Sequence, residues 1–461
     1  MTKVFIQAAL ASLLIPLCAS VNAEQTVQQI ISLNDAISLA QQNDPWLHSS
    51  RLKQSAVEHK SVAALTLADP KVSIGMMNLP TDGWDLAQEG MTQFKVGVSQ
   101  MFPRGDSLAI KSDQLKTSAT QFPLQREDRH AKLTRLISQL WLDAYLAQRT
   151  IALINQDRAL FEQMAQIAKA NYASAIGKTR QQDVIRAQLE IIQLEDRLTV
   201  EQQKRDTALE RLNEWLQLFS IDSLDTLQNL KAATAPIVLP NELPKIALAH
   251  AQHLKPSAYQ RSDAVTLLLN HPALRAIDIK HQVSKKAIEL SEQQYQPQWG
   301  VNASYGYRDD MPSGSSRADL FSVGVSFDLP LFTEHKQDKQ VAAAVAESEA
   351  IKTDKYVMLK QMLSELEKEL AQLQRLSERQ ALYKQQLIEQ THHQAEAALT
   401  AYTNDDGDFS DVVRARITEL NANIAALKID VDALKSVAKI NYLLTQSNHS
   451  ITEPTKQLGE Q

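Results

Sequence analysis

The chain of 461 residues has a single cysteine, Cys18. Without a second thiol it can form no internal disulfide and no paired-thiolate metal site. It holds only 12 glycines, about half the usual share, which disfavours a compact fold rich in turns. Basic residues are not clustered, and the formal net charge is -6. A surface that neutralises a phosphate backbone needs grouped Lys and Arg, so nucleic acid is excluded as a partner. No arrangement of nucleophile, base and acid stands out, which argues against an enzyme and against a bound cofactor. Past the first twenty or so residues there is no apolar run of about 18, the length a membrane-spanning helix needs. That absence leaves a β-barrel open, because its strands need only about 10 alternating residues each.

The N-terminus reads as a secretory signal peptide over residues 1–23. Lys3 supplies the positive start, Val4 to Leu17 is mostly apolar, and Val21-Asn22-Ala23 has the small-x-small pattern of a cleavage site. Cys18 is expected to leave with it. Lipidation at Cys18 is disfavoured, because Leu17 is large where a lipoprotein signal has a small residue.

An internal duplication organises the remainder. Asn43 and Pro45 recur as Asn270 and Pro272, and Asp69-Pro70 recurs as Gln296-Pro297. Phe94, Val96-Gly97-Val98 and Phe102-Pro103 recur as Phe321, Val323-Gly324-Val325 and Leu329-Pro330, all at one offset of 227 residues. Chance matches would drift in offset.

Each repeat predicts a helix, a β-hairpin, a very long helix, a turn and a return helix. In the first repeat (24–220) these are a helix from Leu33 to Leu67, broken at Asn43 to Pro45 and capped by Asn34 or Asp35, then a hairpin over 71–102. A long helix over 106–175 follows, kinked or broken by Pro123, and a return helix over 183–219. A Pro-rich linker spans 221–261. The second repeat (262–446) gives a helix over 262–295, a hairpin over 298–329, a long helix over 334–402 and a return helix over 410–444. A loose tail occupies 447–461. Val184, Ala187, Ile191, Leu194 and Leu198 step by three and four residues, close to the 3.5 period of coiled coils. Ile185, Leu189 and Ile192 form a second apolar row beside them, which implies neighbours on both sides of that helix.

Helices of roughly 65 residues would run on the order of 100 Å. Two hairpins give four strands, too few for a membrane barrel, whose usual minimum is 8. Pooling strands among copies solves this: three chains supply 12. The fold class expected is therefore mainly α with a small β part, in a trimer.

On these residues the chain resembles the TolC-like outer-membrane efflux channels. The resemblance covers nearly the whole mature chain, including the paired tips Tyr172-(x4)-Gly177-(x5)-Asp183 and Tyr402-(x4)-Gly407-(x3)-Asp411. The stretch Asp69 to Pro80, with Met91 and Gly97 to Pro103, is similar to the heavy-metal (CusC- and CzcC-like) branch. The resemblance implies a homotrimer with a 12-stranded outer-membrane barrel and a periplasmic α-barrel. It also implies a periplasmic adaptor and an inner-membrane RND-type pump as partners, in a Gram-negative bacterium. A multidrug or type I secretion channel of the same fold is the alternative. A secreted coiled-coil scaffold without a pore is the alternative of another class.

The implied adaptor-docking residues are Tyr172, Gly177, Asp183, Tyr402, Gly407 and Phe409, with both glycines suiting a turn of positive φ. Asp408, Asp411 and Arg414 are the candidate gate: Asp411 matches an acidic family position, and Arg414 stands where a second acidic residue is usual. Met76, Met77, Met91 and Met101 carry thioethers that suit Cu(I), yet they read as apolar filling. His392 and His393 are adjacent, which points them apart on a helix and removes them as a shared metal site. No metal ligands are therefore assigned.

Overall fold

The computed structural model describes residues 29–174, 181–217, 236–254, 259–404 and 406–448. The signal peptide with Cys18, the turn holding Gly177 and the tail from 449 lie outside the described residues.

In the first repeat, α1 (Leu33–Gln42) and α2 (Pro45–Ala63) lead into β2 (Lys71–Met77) and β3 (Gln93–Met101). A two-residue strand, β1 (Gln29–Ile30), precedes them. α3 (Ser107–Ala119), α4 (Gln121–Ser174) and α5 (Gln181–Leu216) follow. The cap of α1 is Ser32, not Asn34 or Asp35: its Oγ accepts from Asp35 N at 3.2 Å and donates to the Asp35 carboxylate at 2.6 Å. The acidic residue is the second half of the capping arrangement rather than the cap itself.

The helix after the first hairpin breaks at Thr120, three residues before Pro123. Proline lacks the N–H that would bond back into α3, but it fits the first turn of α4, where that donor has no intrahelical partner.

The segment expected to be a linker carries structure. β4 (Ile237–Val238) pairs in parallel with β1, and α6 (Ala251–Leu254) follows. Leu239 is buried beside Ile31 under α4. Three α4 side chains hold this belt by its backbone: Trp141 Nε1 donates to Ile31 O at 3.1 Å, Tyr145 Oη to Asn241 O at 3.0 Å and Gln148 Nε2 to Leu239 O at 3.1 Å. The prolines that hid these contacts from a periodicity reading also keep the segment extended.

The second repeat opens with α7 (Arg261–Leu269) and α8 (Pro272–Glu292), then β5 (Trp299–Tyr307) and β6 (Leu320–Phe327). α9 (Gln337–Leu382) runs through one π turn at Tyr383–Leu387 into α10 (Ile388–Thr403), and α11 (Phe409–Leu443) returns. α11 forms the centre of the bundle. Its buried residues enter four apolar clusters: with α1, α4 and α5 at the belt, with α7, α8 and α9 on one side, with Leu376 of α9 through Ile429 and Ala433, and with α4, α5 and α10 toward the tip. Among the described residues no helix is long and apolar enough to cross a membrane.

Candidate channel wall and periplasmic tip

The four longer strands form one antiparallel sheet in the order β2-β3-β5-β6. The register joins the two hairpins through β3 and β5, with Val98 opposite Ala303 and Phe94 opposite Tyr307. Because side chains alternate across a strand, the register sorts the sheet into two faces. Across one face run Ile74, Val96, Tyr305 and Phe321, and beside them Val72, Val98, Ala303 and Val323. Most of this face is bare: Ile74 is 70 % exposed, Phe321 72 % and Val323 64 %. The other face carries Ser73, Gly97, Ser304 and Ser322 in one row, and Ser99, Asn302 and Gly324 in the next.

Small residues on the second face are a steric requirement. A Cβ at Gly97 would sit 2.8 Å from Ser73 Oγ, and one at Gly324 would sit 2.8 Å from Asn302 Oδ1. Crowded, small and polar on one side and bulky and apolar on the other, the sheet fits a wall curved around an aqueous lumen. Its edges, β2 and β6, each have one strand neighbour among the described residues. Two free edges and one bare apolar face cannot stand alone in water.

At the sheet's outer end, the second hairpin loop is tied to the first. Arg317 Nη1 donates to Glu89 O and Nη2 to Ala87 O, both at 3.2 Å, and Arg308 Nη1 reaches Gly90 O at 3.4 Å. At the foot, Arg104 pairs with Asp328 and donates to Gln296 O at 2.8 Å.

The opposite end is the helical tip. Tyr402 closes α10 and packs edge-on against Phe409 at the start of α11, centroids 5.6 Å apart. Phe409 is 3 % exposed and belongs to the tip core with Val412, Val413, Ala168 and Ala187. It holds the two helical hairpins together from inside and does not present a side chain at the surface. Gly407 is required for a different reason from the one expected: its φ is not positive, but a Cβ there would come within 2.9 Å of Tyr402 N and 3.1 Å of Ala401 Cβ. Tyr172 is half exposed near the end of α4, and Asp183 lies in the first turn of α5.

Asp408 occupies the cap position of α11, yet its exposed carboxylate makes no capping bond there. Asp411 is paired along its own helix with Arg414 at 3.3 Å, both exposed. His392 and His393 engage different carboxylates, Glu419 at 2.7 Å and Glu389 at 3.5 Å. Among the described residues no group of three or more His, Cys, Asp or Glu is placed to hold a metal.

A cluster that no sequence motif marked lies above the tip. Arg416 of α11, largely buried, bridges Glu396 of α10 at 2.5 Å and Glu419 at 2.9 Å. Asp157 of α4 faces this group, and burial, with Glu419 beside it, pushes its pKa up to about 6 against the pull of Arg416. Periodicity could not find the cluster, because Asp157 on α4 lies far in sequence from its partners on α10 and α11.

Residues 264–445 match the family model for outer membrane efflux proteins. No curated protein matches the chain. Among solved structures, CusC, described for conformational changes accompanying folding and transmembrane channel formation, superposes with a TM-score of 0.70 at 13% identity, over 90% of this chain and 92% of that one. The outer membrane protein VceC of Vibrio cholerae superposes at 0.69 and 14% identity, over 90% and 96%. The Campylobacter jejuni outer membrane channel CmeC does so at 0.68 and 14%, over 89% and 85%. At such identities the structures show a common fold, and that fold is the TolC-like channel expected from the sequence.

Proposed function

We propose, from the match of residues 264–445 to the outer membrane efflux protein model and from the TolC-like fold, that this chain is an outer-membrane efflux protein of a Gram-negative bacterium and that three copies form the passive exit duct of a tripartite pump for heavy-metal cations. The single observation that carries the duct is the four-stranded sheet, apolar on one face, small and polar on the other, and open at β2 and β6. Joining β6 of one copy to β2 of the next closes 12 strands with no edge left.

Below the wall, α4 alone has 54 residues, about 80 Å of tube at 1.5 Å per residue. The exposed row Ile185, Leu189 and Ile192 on α5 supplies the apolar seam that a neighbouring copy would cover. A periplasmic adaptor bound to an inner-membrane RND-type pump would meet the tips at Tyr172, Gly177, Asp183, Tyr402 and Gly407, with Phe409 setting their shape from within.

The gate reading is refined by the side chains. Each Asp411 is neutralised by its own Arg414, so a ring of three would carry little net field. Asp408, exposed and not engaged as a cap, is the better source of a cation-attracting ring at the entrance.

The metal cargo rests on the resemblance of the first hairpin to the heavy-metal branch. A growth panel on a deletion strain and its complemented parent tests it, with copper, silver, zinc, cadmium and cobalt beside dyes and antibiotics. Selective metal sensitivity supports the reading, and sensitivity to drugs alone overturns the cargo. Migration of the purified mature chain as a water-soluble monomer overturns the duct.

A further inference from the structure

The bare apolar row of β6 does not stop where the strand stops. Phe321, Val323, Val325 and Phe327 alternate with Ser322, Gly324 and Ser326, and beyond the last paired residue the sequence keeps that spacing at Leu329 and Leu331, on either side of a turn at Pro330. Leu329 is 61 % exposed and Leu331 71 %. Phe332 follows at 91 %, the barest large apolar side chain among the described residues.

The height of the strand makes this extension informative. From Phe321 to Phe327 the row rises six residues, roughly 20 Å along the strand at about 3.3 Å each. At a tilt near 40° that is about 15 Å, short of the apolar band of about 25 Å that outer-membrane barrels present. Carried on to Leu329, the row rises eight residues, roughly 26 Å along its length and about 20 Å in height; there the chain turns, Leu331 N donating to Leu329 O at 2.9 Å, and sets Leu331 and Phe332 at the foot of the row.

Duplication does not account for the extension. At the 227-residue offset Leu331 and Phe332 correspond to Arg104 and Gly105. Arg104 turns back to Asp328 and the Gln296 carbonyl, so the first repeat ends its apolar row at Phe102 and ties off the foot of the sheet with a charge. The second repeat alone prolongs the row as a short tongue below the sheet.

We propose that Leu329, Leu331 and Phe332 form a lipid-contacting tongue that completes the barrel's apolar band in the periplasmic leaflet of the outer membrane. The tongue engages the acyl chains just beneath the phospholipid headgroups, where the hydrogen-bonded sheet is too short to reach. This rests on the outer-membrane barrel reading, and the test separates the two.

Nitroxide labels are attached to single introduced cysteines, Phe332→Cys, Leu331→Cys, Val323→Cys and Thr353→Cys, in the full-length protein reconstituted in phosphatidylethanolamine–phosphatidylglycerol vesicles. The unsubstituted chain serves as the labelling blank, because Cys18 is its one cysteine. Collision with oxygen, which partitions into lipid, is compared with collision with a water-soluble nickel chelate. The expected result is an oxygen-to-nickel ratio at Phe332 and Leu331 within about twofold of that at Val323, and several-fold above that at Thr353 on the exposed face of α9. Nickel-dominated collisions at both tongue positions, with Val323 still reading lipid, overturn the tongue and leave the barrel standing. Immobile labels shielded from both reagents show that a neighbouring copy covers the tongue, which also overturns it. Nickel access at Val323 itself overturns the barrel reading beneath the proposal.

Discussion

The two repeats begin their second helix with the same device and secure it differently. Each places a proline at the first helical position, Pro45 and Pro272, behind a buried capping side chain. In the first repeat the cap is Asp44, whose carboxylate accepts from Trp46 N at 3.1 Å and pairs with Arg129 at 2.7 Å. That guanidinium lies between the rings of Trp46 and Trp215. In the second repeat the cap is His271, whose Nδ1 accepts from Ala273 N at 3.2 Å while Nε2 meets Tyr442 O at 3.1 Å. Burial pushes its pKa down, which keeps the ring neutral and able to accept. Duplication fixed the backbone turn and the proline, while each half found its own buried partner. The difference teaches that a capping position specifies an acceptor, not a residue, and that the surrounding charges choose which acceptor survives burial.

The sharpest way to break this comparison is to remove each cap. Asp44→Ala deletes the cap and strands Arg129 beside two rings, so a loss of about 3 kcal/mol is expected from an orphaned, partly buried charge. His271→Ala removes a neutral acceptor and is expected to lower stability by about 1–2 kcal/mol. Thermal or denaturant unfolding of the two variants measures both, and equal losses would show that the ion pair adds nothing to the first cap.

The hairpins offer a second contrast, between glycines of one sheet. Gly97→Ala must displace Ser73 Oγ at 2.8 Å, whereas a Cβ at Gly75 meets nothing within 4 Å. An expected loss of about 1–2 kcal/mol for the first and under about 0.5 kcal/mol for the second is read from the unfolding temperature of the purified protein. A neutral Gly97→Ala would mean that the inner face is less crowded than its register implies.

The tip contrasts with the belt in its response to pH. Asp157, with an ordinary value of 3.8, titrates in the fold at about 6. The folded chain keeps a proton that the unfolded chain has released, so this contribution is complete below about pH 4 and is lost as pH rises through about 6. Asp157→Asn, always neutral, is expected to exceed the parent in melting temperature by a few degrees at pH 7.5 and to match it near pH 4. A variant less stable than the parent at pH 7.5 would show that the ionised carboxylate is needed by Arg416.

The smallest effect is expected at Pro123. It sits in the first turn of α4, where a missing N–H breaks nothing. Pro123→Ala should change stability by under about 0.5 kcal/mol, and a larger change would mean that the proline, and not the geometry at Thr120, separates α3 from α4.

Much of the architecture was legible before the structure. The 227-residue echo, the period-2 runs of Phe94 to Val98 and Phe321 to Val325, and the two apolar rows of α5 all correspond to features now seen as pairing, register and a bare seam. Local rules were less reliable where two neighbouring candidates compete. Ser32 caps α1 in place of Asn34 or Asp35, because its backbone is extended while theirs is already helical. At Gly407, absence of a side chain was read as freedom of φ, but the requirement is contact with Tyr402 and Ala401. The resemblance implies an adaptor-docking role for Phe409 beside the turn. Its ring instead fills the gap between the two helical hairpins.

The sequence by itself determined the alternation of strand and helix and the duplication. Each of these follows from a periodicity or a count, which needs no knowledge of which segments meet. Tertiary structure alone decided the parallel pairing of β1 with β4, the belt held by Trp141, Tyr145 and Gln148, and the meeting of Asp157, Glu396, Arg416 and Glu419. The belt bonds and the approach of Asp157 to Arg416 and Glu419 join residues about 90 to 260 positions apart, and a one-dimensional pattern carries no record of distance across the fold. It also decided that exposed apolar side chains outlast the second hairpin's last strand, since only the register shows that pairing ends at Phe327 while Leu329, Leu331 and Phe332 stay bare.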